Sequence, residues 1–178
     1  MLRRNFINSI AVGSSIAIMP NEKILNYNSE NKFNLNYAPH FGMFKHSAGE
    51  GLIDQLKFIA DLGFTAFEDN NLKKRSISDQ EKMASTMAKR NINMGVFVAH
   101  SIYWKEPNLA SGNLDKREEF LKEIRESVEV AKRVNAKWMT VVPGHKDLRL
   151  KDSYQQTNVI DSLKYACDIL EPYDLTMV

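Results

Sequence analysis

The chain has 178 residues, 43% of them hydrophobic and 26% charged, which is enough for one substantial core and excludes a disordered chain or a fibre. Its 24 basic and 22 acidic side chains leave a net charge of +2, and Arg3 and Arg4 alone equal that excess. The basic footprint of a nucleic-acid binder is therefore absent, so no nucleic-acid partner is expected.

Residues 1–20, MLRRNFINSIAVGSSIAIMP, place a twin arginine two positions before Phe6, then an apolar run from Ile10 to Met19 with small Ser15 and Ala17. The layout is similar to a twin-arginine export signal, with Leu2 before the pair and Asn8 where lysine is common, and predicts a periplasmic product. The run is too short to span a bilayer of ~30 Å as a permanent helix, so no membrane span is expected after the signal is removed. Residues 21–31 are polar and rich in asparagine, as expected of a linker after a cleavage site. Residues 1–31 are thus read as signal and linker, and 32–178 as the folded part.

From Lys32 strand and helix patterns alternate. FNLNYAPH, Phe33 to His40, sets Phe33, Leu35 and Tyr37 against Asn34, Asn36 and Ala38 as a strand would, and Pro39 ends it. Leu52, Leu56, Ile59 and Ala60 recur at helical spacing until Gly63. FTAFED, Phe64 to Asp69, is a second short strand. The helix after it is expected to start at Ser78, with Glu81 completing a capping box and Met83, Ala84 and Met87 inward.

NMGVFVAHSIYW, Asn93 to Trp104, is the stretch around which the rest is organised. Met94 to Ala99 fits a strand covered on both faces, and His100 stands just past its end, where parallel α/β folds bind ligands. Asp115 can cap a long helix with Phe120, Ile124, Val128 and Ala131 as its apolar stripe. Its other face, with Lys116, Glu119, Lys122, Glu123, Glu126 and Lys132, reads as solvated surface. WMTVVPG, Trp138 to Gly144, is a fourth buried strand. A helix from near Asp152 buries Val159, Ile160, Leu163, Ala166 and Leu170, and Pro172 closes it. Leu175 to Val178 starts a fifth strand. Cys167 sits in that last helix as a packing residue and can form no internal disulfide.

Such alternation argues for right-handed βαβ units on a parallel sheet. An open doubly wound sheet and a closed (β/α)8 barrel both fit. No GxGxxG follows the first strand, which removes the main support for a dinucleotide-binding open sheet. A barrel takes about 250 residues, so this chain would hold its first four to five βα units. An apolar strand at the very end favours truncation, with a half-barrel as the alternative.

FNLNYAPHFGMF, FTAFEDN, MGVFVAHSIYWKEPN, KWMTVVPGH and ILEPYDLTMV together resemble the N-terminal half of the hydroxypyruvate isomerase family, in the xylose isomerase-like TIM-barrel superfamily, and specifically its exported bacterial members. The resemblance covers the chain from Lys32 onward. It implies interconversion of hydroxypyruvate and tartronate semialdehyde through an enediolate. That chemistry needs a base beside the carbonyl and a divalent metal, Mg²⁺ or Mn²⁺, for the oxyanion. In the family the metal ligands lie at the ends of strands five to eight, so the catalytic residues are expected beyond Val178 and no metal ligand maps onto this chain.

The resemblance places four residues at the substrate: His100, whose neutral imidazole can donate to a substrate oxygen, Trp104 as a pocket wall, Glu68 at the end of the second strand and Asn36 in the first. For Glu68 the plainer role is a salt bridge to a loop cation. His40 and His145 follow the first and fourth strands, where a ligand role competes with simple exposure, and His46 has no supporting context. Two other readings stand beside the isomerase: a non-catalytic truncated fragment, and another sugar isomerase, epimerase or abasic-site endonuclease of the same superfamily.

Overall fold

The computed structural model describes residues 33–178, and the expected signal and linker lie outside them. In chain order the elements are α1 (Lys45–Ala48), α2 (Leu52–Asp61), β1 (Ala66–Phe67), α3 (Ile77–Arg90), β2 (Asn93–Met94), α4 (Leu114–Val134), β3 (Trp138–Met139), α5 (Asp152–Leu170) and β4 (Thr176–Met177). Single 3-10 turns form at Leu72–Lys74, Leu109–Ser111 and Glu171–Tyr173.

Two short ladders, β1–β2 and β3–β4, are both parallel. A parallel bridge between Val98 and Thr140 joins them, with the Thr140 amide donating to Phe97 (2.8 Å) and the Ala99 amide to Thr140 (3.1 Å). The strands therefore run in chain order with no reversal. Successive helices also pack on one another, α2 on α3, α3 on α4 and α4 on α5. A doubly wound sheet would need a switch point in strand order and helices on both faces. The arrangement is that of a (β/α)8 barrel wall.

The helix-side core is built from Phe67, Met94, Phe97, Ala99 and Met139 of the sheet with Leu56, Ile59, Met83, Met87, Phe120, Ile124, Val128 and Ala131 of the helices, all buried. Each such side chain contributes about 1.5–3 kcal/mol when removed from water. The stripe expected on α4 is the buried one. On α5, Ala166 and Leu170 are buried, whereas Ile160 is exposed, because the helix lies against α4 and the Leu109–Ser111 turn on a narrower contact than its apolar residues offer.

Two helix starts differ from expectation. Ser76, two residues earlier than Ser78, caps α3 by accepting the Asp79 amide, and Asn113 caps α4 by accepting the amides of Asp115 and Lys116. Both hold the extended backbone that a cap requires. Asn91 and Asn135 end these helices in the left-handed conformation that asparagine tolerates.

The segment Phe33–His40 departs most. It forms no ladder; Phe33, Leu35 and Tyr37 are 44, 63 and 53% exposed. Its end alone joins the sheet, through a bridge between His40 and Glu68 and the Glu68 amide donating to Pro39 (3.1 Å). Alternation marks a face but supplies no neighbour, and Pro39 has no N–H to donate. Trp138, expected to be buried, is 47% exposed on the sheet face turned away from the helices.

Between β1 and β2 the ladder slips. The Gly95 amide donates to Phe67 (2.7 Å), but the Asp69 amide donates to Val96 instead of Gly95 (3.2 Å). This one-residue bulge re-aims everything after it, including His100. Gly95 fits closely there: a Cβ would lie 3.1 Å from the Phe67 carbonyl oxygen, a contact that the backbone would have to relieve by a small shift.

Candidate functional site

The bulge carries the Met94–Ala99 run past the end of β1 to His100, which is 5% exposed. Its ring sits edge-on to Phe120 of α4, with centroids 4.9 Å apart. Nδ1 lies 2.9 Å from the Ser101 carbonyl oxygen, and Nε2 lies 3.1 Å from the Val142 amide. A carbonyl only accepts and an amide N–H only donates, so the proton sits on Nδ1 and Nε2 accepts. Burial pushes the imidazole below its ordinary value near 6.5; the Ser101 carbonyl and Glu123 oppose the shift, and Lys73 adds to it. The ring is neutral, and both nitrogens are committed to backbone. No N–H remains for a substrate oxygen in this arrangement.

A dense polar clamp surrounds the ring. The Ala99 carbonyl accepts from Ser127 Oγ (2.5 Å) and Lys73 Nζ (3.1 Å). The Lys73 ammonium also reaches the Glu123 carbonyl (2.9 Å) and the Glu126 carboxylate (3.2 Å). The Ser101 amide donates to the Glu123 carboxylate. Glu123 and Lys73 are each about one-fifth exposed, so Glu123 is part of this clamp and not the solvated surface that its helical face suggested. The available signal was Ser127, a small polar residue inside the apolar stripe of α4.

Beside the clamp lies a cavity of about 390 Å³ lined by His100, Trp104, Lys73, Lys74, Glu123 and Glu126, among others. Trp104 is 69% exposed. Its loop is held by the His145 amide donating to the Tyr103 carbonyl (2.9 Å) and by a bridge between Pro107 and His145. His100 and Trp104 thus share one pocket at the carboxyl end of a parallel strand.

The other expected residues are placed elsewhere. Glu68 is half-buried beside His40 on the adjacent strand ends. Arg75, in the loop that follows this strand end, pairs with buried Asp69 at 2.5 Å. Asn36 accepts from Thr65 Oγ1 (2.8 Å) at the opposite, amino end of the sheet. The exposed His40 bonds its own loop at the Phe41 carbonyl (2.9 Å), and His46 is exposed in α1. Among the described residues no group of three His, Cys, Asp or Glu side chains could hold a metal ion. The described residues therefore do not offer the donor set that a divalent cofactor needs. No helix among them is long and apolar enough to cross a membrane.

The family described as xylose isomerase-like TIM barrel matches residues 56–178. The chain belongs to this family. No curated protein matches the sequence. Solved structures share its fold at low identity. An AP endonuclease of family 2 from Brucella melitensis is 17% identical with a TM-score of 0.61, over 79% of this chain and 52% of its own. A D-psicose 3-epimerase from Clostridium cellulolyticum H10, solved with D-tagatose, is 12% identical with a TM-score of 0.63, over 80% and 51%. The IolI protein, solved with a zinc atom, is 17% identical with a TM-score of 0.59, over 80% and 50%. The chain spans about half the length of these structures.

Proposed function

We propose that the chain supplies the binding wall of a sugar or hydroxyacid isomerase, with hydroxypyruvate and tartronate semialdehyde as the interconverted pair. The observation that carries this reading is the pocket itself, in which an open indole face and a neutral imidazole ring stand beside Lys74 and Glu126 at a strand's carboxyl end. A small hydroxy-carbonyl compound offers C–H faces to Trp104 and oxygens to the flanking cation and carboxylate. The sequence resemblance and the epimerases among the similar structures support the same substrate class. The net charge of +2 favours a small molecule over a nucleic acid.

In this reading His100 and Trp104 shape the pocket, and Glu68 lies toward the barrel interior, one strand away. In the same reading the base and an Mg²⁺ or Mn²⁺ ion are held by groups other than the described residues. Export to the periplasm belongs to the same reading and rests on Arg3 and Arg4; a reporter fused behind residues 1–31 should be exported, and replacing both arginines by lysine should retain it in the cytoplasm.

Ligand binding tests the reading directly. With Trp138 replaced by phenylalanine, Trp104 is the sole indole, and hydroxypyruvate should change its fluorescence saturably. The response should vanish when Glu126→Gln and Lys74→Met are combined. Silence toward hydroxypyruvate and ketohexoses, with a response to abasic-site DNA, would overturn it in favour of the nuclease.

A further inference from the structure

His100 bonds through both ring nitrogens to backbone on two different strand ends, and this arrangement has a use beyond packing. The Ser101 carbonyl belongs to the loop that carries Trp104, and the Val142 amide belongs to the end of the run that begins with β3. The imidazole is thus a tie between the pocket wall and its neighbour. Phe120 packs edge-on against the ring from α4.

We infer that His100 is a proton-released latch: neutral, it holds the Ser101 end of the pocket wall to the adjacent strand end, and protonated, it lets that tie go. The step balances simply. A proton from solvent adds to Nε2, whose lone pair was accepting the Val142 N–H, and the ring then presents N–H groups at both nitrogens. Two donors face each other at Val142, so that hydrogen bond is lost while the bond from Nδ1 to Ser101 persists.

The surroundings decide how readily this happens. From α4, the Glu123 carboxylate stands by the ring and accepts the Ser101 amide, which favours the imidazolium. From the Leu72–Lys74 turn, the Lys73 ammonium opposes it, and burial opposes it more strongly. Glu126 and Lys74 line the same pocket, and Glu126 pairs with Lys73. Farther along the loop the backbone bond from His145 to Tyr103 contains no titratable group. Opening is therefore confined to Ser101 and Ile102, between the Glu123 tie and the Tyr103 tie. The inference is independent of the substrate, since it concerns only how the wall is held.

Amide hydrogen exchange reads the latch without any ligand. In the ¹⁵N-labelled full chain, the Val142 amide should be protected at pH 7.5 and lose about tenfold of its protection as His100, followed by its own ring resonances, becomes protonated, after correction for intrinsic exchange, as expected for loss of one hydrogen bond. The Thr140 amide, bonded to Phe97 at 2.8 Å, should keep its protection over the same range. His100→Gln, which does not titrate, should abolish the pH dependence at Val142. If that variant does not fold, Glu123→Gln should move the midpoint to lower pH. Unchanged Val142 protection across the titration of His100, or a pH dependence that survives in His100→Gln, or an unmoved midpoint in Glu123→Gln, would overturn the inference.

Discussion

The Met94–Ala99 run and the Phe33–His40 segment both read as strands, the first as a continuous apolar run and the second by alternation, yet they end as opposites. Phe97 and Ala99 are fully buried and their strand end is clamped by Lys73, Ser127, Glu123 and His100. Leu35 and Tyr37 lie in the open, and their segment is tied to the sheet by the bridge at His40 and the exposed hydrogen bond between Asn36 and Thr65. Apolar periodicity therefore selects the face a residue presents, while burial depends on neighbours on both edges and on a helix above. Only the first run has all of these.

The widest separation between the two regions is expected in stability. Phe97→Ala should cost about 3–5 kcal/mol in urea denaturation, whereas Leu35→Ala should change stability by less than about 1 kcal/mol. Equal losses would erase the distinction. The clamp comes next: Lys73→Met leaves the Ala99 and Glu123 carbonyls short of a donor and should cost about 1–3 kcal/mol. A double-mutant cycle with Glu126→Gln separates the carboxylate's share, which solvent screens because Glu126 is half exposed.

Gly95→Ala probes the bulge and should cost about 1–3 kcal/mol in thermal unfolding through overpacking. Since the nearest atom is the Phe67 backbone oxygen, adding Ala38→Gly should not restore it; full rescue would place the strain on the Ala38 side chain instead.

A pH series sharpens the comparison further. His100 titrates below its ordinary value near 6.5 when folded, so between the two values the unfolded chain binds more protons. Its contribution to stability is full above about pH 6.5, declines as pH falls toward the folded value, and is flat below it. His100→Gln should remove that slope. The smallest effect belongs to the open region: Asn36→Ala breaks an exposed hydrogen bond to Thr65 and should cost less than about 1 kcal/mol.

Much of this fold was legible from the residues. The α4 stripe of Phe120, Ile124, Val128 and Ala131, the inward Met83 and Met87, and the unit order follow from 3.6-residue periodicity and glycine stops, and these are local properties. What lay outside local reach was set by register. The bulge at Gly95 and Val96 is a relation between two strands, and it decides where His100 points. Glu123 looks like any charged residue on a helix until the Ser101 amide arrives beside it, and Asn36 falls beside Thr65 at the amino end of the sheet because alternation fixes a face but no height. The pocket shared by His100 and Trp104 was readable because both follow one strand on one loop. The separation of Glu68 from them was not, since it depends on how far each strand extends.

The protonation state of His100 tests the account most directly. Long-range ¹H–¹⁵N correlation spectra of the imidazole at pH 7 should show the neutral tautomer with its proton on Nδ1, and a titration midpoint below 6.5. An imidazolium at that pH, or a neutral ring protonated on Nε2, would contradict the tie to Ser101 and Val142 on which the described pocket wall depends.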